Sequence, residues 1–478
     1  MDPETLQRIT AADLRLVAAA KDVKVLSSLA WPARLLEEFL KHWRSNNPRL
    51  PEPPRARPRL DDNADELHAV MADCDLDEPI GRYMYRTAHS YVTAVRMVDR
   101  VGTPEFTQRS IELYGAPGDR IGPNAVTNLQ AAEQFLSLTD DFRRVGDAPE
   151  EVCLRPEYVA ERLLERVLPV FTDHPIAVDI DPEMASKAAA GATRVRIRGA
   201  SCFSVQDIAQ LAEHEVFVHS LTSINGREQP VLRSMGLGAP RTTATQEGLA
   251  TFAELITNAM DLPRLRRLAL RVKAIQMGLD GADFIDLFRF FLEAGQTLEE
   301  SYYSAARVFR GGDVRGRIVF TKDVVYLQGL ISVHTFFLKA IQQSRPEYIR
   351  DLFAGRMALG DVLDLNAYFR SGAIAPPLYE PAWFRNFLYR QEVERGLEHR
   401  LSDIVSQTFE KAGGVETVAE MLNLADRSVL ALDGTVRGPL TEMLRFVNVT
   451  PVGQWTGEAL ARAYASMDML FNPSVTET

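Results

Sequence analysis

The sequence predicts an α+β protein, predominantly helical, with a small β-sheet near its middle and helical regions on either side. Three observations carry this expectation. Apolar residues recur at the helical period up to about residue 171, and again beyond Thr245. Between these stretches, residues 176–180 form a short β-type run closed by Asp181-Pro182, and residues 194–198 strictly alternate arginine with Val195 and Ile197. The chain of 478 residues and 53.4 kDa also exceeds one small domain, since a domain usually holds about 100–200 residues.

Each element follows from local chemistry. Residues 1 to about 46 read as two helices, the first on Leu14, Leu16, Val17, Val23 and Leu26, the second on Leu35, Leu36, Phe39 and Leu40 after Pro32. Residues 46–59 carry Pro48, Pro51, Pro53, Pro54 and Pro58, which forbid a helix and predict an extended strap. Its arginines are read as a solvated connector on an acidic protein. Residues 1–62 therefore form a first unit. Residues 63–171 are helical, with breaks at Gly102-Thr103-Pro104, Gly115 to Gly122 and Pro149, and Tyr83, Tyr85 and Tyr91 are spaced as helix core. Residues 172–345 contain the strands, a capping-box pattern at Ser204 and Asp207, a helix through His219, and a Gly-rich turn at 310–316. Residues 346–478 form a final helical region with frayed last residues.

Composition excludes several classes. The 46% hydrophobic and 25% charged fractions are those of an ordinary globular protein, which rules out disorder and collagen-like repetition. Cys74, Cys153 and Cys202 are odd in number and far apart, so no disulfide framework and no Cys-based metal cluster is expected. Unpaired thiols fit a reducing compartment, most simply the cytoplasm. A net charge of −11 argues against a nucleic-acid partner. The acidic start Met1-Asp2-Pro3-Glu4 does not resemble a signal peptide, and the most apolar run, 324–341, is interrupted by Gln328, His334 and Lys339, so no membrane span is expected.

One constellation carries chemistry. Two of the eight histidines fall in His214-Glu215-Val216-Phe217-Val218-His219. On a regular helix, i and i+5 lie about 140° apart, too far to share an ion. Either the pairing is accidental or the helix carries an extra residue, a π-bulge within 215–220 that returns both rings to one side. A catalytic zinc needs a third protein ligand and an open position. Glu247, in the first turn of a helix after the threonine-rich stretch 242–245, is the candidate. Gly248 beside it is poor for a helix but would let another backbone or a metal site approach. On spacing alone, two core histidines and a dipole-stabilising glutamate explain these residues equally well.

These motifs resemble a known family. His214-Glu215-x-x-x-His219, Thr245-Gln246-Glu247-Gly248-Leu249-Ala250 and Phe320-Thr321-Lys322-Asp323 are similar to those of the QEGLA-motif proteins, whose bacterial members carry the label flavohemoglobin expression-modulating. The same domain underlies the microtubule-associated tyrosine carboxypeptidases. The resemblance covers residues 170–345 and most of the chain beyond residue 60. It implies a zincin-like metallopeptidase core at 172–345, one Zn2+ held by His214, His219 and Glu247, and Glu215 as catalytic base. The longer His-Glu-x-x-x-His spacing also occurs in the dipeptidyl peptidase III family.

The expected activity is a zinc metallopeptidase acting on a peptide or protein C-terminus, a carboxypeptidase removing a bulky or aromatic residue. An oxyanion needs a further donor, for which Tyr326, one helical turn beyond Lys322, is the candidate. A terminal carboxylate needs a cation, and Arg241, Lys322 and Arg310 are the candidates. The arginine-faced strand at 194–198 is a further candidate, holding a peptide by strand addition. Two alternatives stay open: an aminopeptidase or dipeptidyl peptidase with the same site, and a regulatory protein in which the site is vestigial. The sequence does not reveal substrate or oligomeric state.

Overall fold

A computed structural model describes residues 3–55, 58–122, 126–143, 153–182, 184, 187–199 and 201–384. Most of the last helical region, including the frayed end expected at 472–478, lies outside the described residues. The expected α+β character is found: the described residues are predominantly helical with a small three-stranded sheet.

The N-terminal region holds three helices, Pro3–Ala20, Val25–Ser28 and Arg34–Arg44, where two were expected. The strap has no regular structure over residues 48–55, as its prolines require. Helices Asp61–Ala72, Pro79–Asp99 and Pro104–Tyr114 follow, the last two starting on a proline whose missing N–H costs nothing there. Tyr83, Tyr91, Val95 and Val98 point into the core at helical spacing.

The sheet has the order β1-β3-β2, with β1 (Ala177–Asp181) parallel and β2 (Ala188–Ala190) antiparallel to β3 (Arg194–Arg198). The sequence pattern marked β1 and β3 but not β2, whose three alanines lack the branched side chains that signal a strand. Val195 and Ile197 are fully buried, while Arg194 and Arg196 face solvent and meet Asp179 and Asp181 of β1 at 3.1 and 3.3 Å. Because β3 is the central strand, its edges are both taken. Strand addition to the arginine-faced strand is therefore corrected.

The cysteine expectation is also corrected. Cys153 and Cys202 form a disulfide, leaving Cys74 as the free cysteine among the described residues. Leu154 and Phe203 exchange backbone hydrogen bonds of 2.8 and 3.3 Å. That bridge sets the neighbouring cysteines 5.1 Å apart at Cα, a separation a disulfide spans.

One hydrophobic cluster draws on residues from Leu16 to Phe384 and includes both sides of the motif helices. A second gathers around Phe39, Phe284, Phe288 and Tyr302. The apolar run noted at 324–341 is the helix Val324–Gln342, with Leu327, Leu330 and Val333 wholly inside the protein. Its Gly329 packs against Gly248 of the helix Thr243–Ile256.

Candidate metal centre

The helix bearing the histidines starts with the expected capping box. The Ser204 hydroxyl accepts from the Asp207 N–H at 3.1 Å, and the Asp207 carboxylate accepts from the Ser204 N–H at 2.7 Å. The chain is α-helical over Val205–Leu211, π-helical over Ala212–Ser220 and α-helical again over Leu221–Arg227. The widened turns begin three residues before Glu215, earlier than the spacing required, and enclose both histidines. With one extra residue per turn, i and i+5 align. The two imidazoles accordingly sit 4.9 Å apart, nearly perpendicular.

Side chains outside the helix hold this widened segment. The Ser220 hydroxyl donates to the Gly191 carbonyl beside the sheet at 2.7 Å. Arg356 donates to the carbonyl of His219 at 2.8 Å. Arg166 meets Glu213 at 3.0 Å. Val216, Val218 and Leu221 are buried on the core side.

Glu247 arrives from a second helix. A 3₁₀ turn, Pro240–Thr242, precedes Thr243–Ile256, so Glu247 lies one turn in rather than in the first turn. The threonines do not cap this helix: Thr242 donates to the Ala239 carbonyl and Thr245 accepts from the Leu359 N–H. Gly248 does what its missing side chain allows. A Cβ there would lie 2.2 Å from the carbonyl carbon of Gly329.

His214, His219 and Glu247 thus converge, with one donor atom from each lying within 4.8 Å of the others. Glu247 Oε2 is 3.4 Å from His214 Nε2 and 3.6 Å from His219 Nε2. Donors at tetrahedral angles around an ion at about 2.0–2.2 Å stand roughly 3.3–3.6 Å apart, so two imidazole nitrogens and a carboxylate at these separations fit a zinc-sized cation. The other polar atoms of His214 and Glu247 are fixed too. His214 Nδ1 is 2.5 Å from Glu254 Oε1, and Lys322 Nζ donates to Glu247 Oε1 at 2.8 Å. Among the described residues no acceptor reaches Nδ1 of His219.

The electrostatics favour positive charge here. Burial alone would depress the His214 pKa, yet Glu247 and Glu254 outweigh it and push the imidazole up to about 10. Burial would raise Glu247, but Lys322 and then the two histidines hold it well below the usual carboxylate range. Glu254 is fully buried, and Arg264 and His214 overcome that burial to keep it near 2.

The remaining expected residues divide. Glu215 is half-buried beside His214 on the widened turn, its charge acting on His214 and Arg356. Tyr326 is buried near the cluster: Lys322 Nζ is 5.0 Å from its ring, and Arg307 donates to its hydroxyl at 3.4 Å. Lys322 is already committed to Glu247. Arg241 is committed elsewhere, to Asp361 at 2.5 Å and to the face of Tyr83. Arg310 makes no hydrogen bond or ion pair among the described residues. Arg264, Arg271, Arg307 and Arg356 also stand near the cluster without any sequence signal of their own. The first two, seven residues apart, share a face of the helix Leu262–Asp280, but no motif marks them.

The family model for microtubule-associated tyrosine carboxypeptidases matches residues 37–397. The chain belongs to that family. It is a family of carboxypeptidases, and the resemblance expected from the motifs is thereby found. Two other similarities are local or distant. The chain is 50% identical to the flagellar motor switch protein FliG of Thermotoga maritima over 38 residues, 8% of this chain and 11% of that protein. A crystal structure described as a lipoprotein of Colwellia psychrerythraea superposes with a TM-score of 0.40 at 11% identity, over 65% of this chain and 63% of that one.

Proposed function

We propose that this member of the tyrosine carboxypeptidase family is a zinc-dependent peptidase that removes a C-terminal residue, with His214, His219 and Glu247 as metal ligands and Glu215 as general base. The observation that carries the reading is the pairing of a three-donor cluster with a π-helical turn that places Glu215 next to it. A structural zinc would call for a fourth protein ligand, and among the described residues this cluster offers three. The two helices carrying the ligands fit a zincin-like core.

Bound there, zinc would polarise the scissile carbonyl and bring the pKa of its water toward about 7. The residues of the chain do the rest. Glu254 accepts from His214 Nδ1–H, which fixes the tautomer and leaves Nε2 as a lone-pair donor. Lys322 occupies Glu247 Oε1 and so presents Oε2 to the histidines. Glu215 removes the proton from the attacking water and returns it to the leaving amine. The Tyr326 hydroxyl is the donor to the developing oxyanion. Arg307 has only N–H groups to offer, so the hydroxyl accepts from it and keeps its own proton for another acceptor.

Elemental analysis of purified protein should find about one zinc per chain, lost in His214→Ala, His219→Ala or Glu247→Ala. Glu215→Gln should keep the metal while hydrolysis of a C-terminally diverse peptide library falls by about 10²–10⁴. Wild-type protein without transition metal after zinc-supplemented expression would remove the site, and a fully active Glu215→Gln would move the base elsewhere. Cleavage from the amino end of the peptides would favour the aminopeptidase or dipeptidyl peptidase alternative.

A further inference from the structure

Beside the cluster of His214, His219 and Glu247, the buried and half-buried charges do not balance. Five cations, Arg264, Arg271, Arg307, Arg310 and Lys322, surround three carboxylates, Glu247, Glu254 and Asp323. Three pairings are complete. Arg264 holds Glu254 at 2.9 and 3.1 Å, and Lys322 holds Glu247 at 2.8 Å. Arg307 takes both oxygens of Asp323, at 2.5 and 2.7 Å. Two guanidinium groups are left over.

Arg271 comes no closer than 3.6 Å to Asp323, a carboxylate already held by Arg307, and its Nε is buried with no hydrogen-bond partner. Arg310 makes no ion pair or hydrogen bond among the described residues. Arg271 lies over the Tyr326 ring, 5.8 Å from its centre, and Arg310 caps the helix Leu298–Phe309, three residues beyond the Arg307 that donates to the Tyr326 hydroxyl; the charges of Asp323 and Arg307 act on both. The ring of Tyr326 is 5.0 Å from Lys322 Nζ, which itself touches the ligand Glu247. Two side chains, Tyr326 and Lys322, therefore stand between the surplus charge and Glu247.

A guanidinium keeps its proton under nearly all conditions, and a buried ion without a partner is costly. We infer that Arg271 and Arg310, with Tyr326 at their side, form a subsite for a carboxylate of the substrate. Burial and the repulsion of Arg307 lower their pKa values to about 9 and about 10, as expected of cations short of an anion. The planar donor fork of arginine suits a carboxylate. Arg241 and Lys322 are excluded from this role by the partners they already hold. The inference rests on the peptidase reading for the identity of its ligand, a peptide. Its carboxylate is either the C-terminal group or an acidic terminal side chain, and the two are separable.

The test measures binding of fluorescent hexapeptides to the full-length, chelator-stripped protein, so that no turnover is needed. One pair ends in Phe as free acid or amide. The other ends in Glu or Gln, both as free acids. Wild type should prefer at least one acidic member by tenfold or more, and Arg271→Met or Arg310→Met should abolish that contrast, with Lys at either position restoring part of it. Loss of the acid–amide contrast assigns the C-terminal carboxylate; loss of the Glu–Gln contrast assigns the side chain. Each supports the subsite. The Met variants should melt at or near the wild-type temperature, because Arg271 reaches Asp323 only at 3.6 Å, a carboxylate already held by Arg307, and the half-buried Arg310 has no ion pair among the described residues. A Tm lowered by several degrees would mark the arginine as structural and overturn the assignment. So would contrasts absent in wild type, or unchanged in the double variant. Peptide contrast without hydrolysis by the zinc-loaded protein would sink the peptidase reading alone. Hydrolysis with unaltered KM in the Met variants would sink the subsite alone.

Discussion

His214 shows how much a single residue depends on what stands behind it. Its Nε2 faces Glu247 while its Nδ1 is held by Glu254, a fully buried carboxylate that also binds Arg264. Glu254→Gln preserves shape but removes the charge that favours a ligating imidazole and leaves Arg264 without its ion-pair partner. Metal affinity should fall by about 10–100-fold, measured by competition with a chromophoric chelator. Affinity within twofold of wild type would show that Glu254 has no hold on the ligand. Glu254 could be anticipated because it lies two turns beyond Glu247 on one face. Lys322 could not be linked to Glu247, since the two are 75 positions apart and only the fold joins them.

At the scale of elements, the π-helix and the glycine crossing are the decisive features. The first follows from arithmetic: two histidines five residues apart cannot share a side of a regular helix. The second is a helix contact so close that neither partner tolerates a methyl group. A Cβ at Gly248 would lie 2.2 Å from Gly329 backbone, and one at Gly329 would lie 2.1 Å from the Ala244 carbonyl oxygen. Gly248→Ala should therefore destabilise by about 3 kcal/mol or more and shift Glu247 away from the histidines. Gly360→Ala, where an added Cβ meets nothing within 4 Å, serves as control and should be neutral or stabilising by up to about 1 kcal/mol. Urea midpoints and metal content measured together decide this; equal midpoints for Gly248→Ala and wild type would refute the crossing as drawn.

The whole molecule is joined by contacts between distant segments, and one of them titrates. Asp13, on the first helix, is fully buried and accepts from the Ser234 N–H at 3.0 Å. Burial raises its pKa to about 6, against the lowering effects of Ser234 and Arg233. Below about pH 4 the residue is protonated in both folded and unfolded chains, and its full contribution to stability is present. As pH rises through 6, the unfolded chain ionises first and that contribution is lost, roughly 1.4 kcal/mol per unit over about two units. Asp13→Asn should remove this slope. The difference between wild-type and variant urea stability from pH 4 to 7 isolates it from His334, which burial lowers to about 4 and which acts in the opposite sense. Parallel curves would contradict the assignment.

While the family resemblance supplied the proposed ligand set, periodicity and pattern anticipated the helical character, the β1 and β3 strands and the capping box, and tied any ion shared by His214 and His219 to a widened turn. These are local properties: propensity, alternation and angle per residue act within a few positions. The tertiary structure decided which cations are free. Arg241, Lys322 and Arg310 look alike in the sequence, yet Asp361 takes the first, Glu247 takes the second, and the third is left without a partner among the described residues. The same holds for β3, whose alternation promised an exposed face but whose position between two strands closes its edges. It holds again for Cys153 and Cys202, 49 residues apart and joined through the pairing of Leu154 with Phe203. Charge pairing, strand order and disulfide pairing depend on which distant segments meet, and that is set by packing of the whole core rather than by any local stretch of chain.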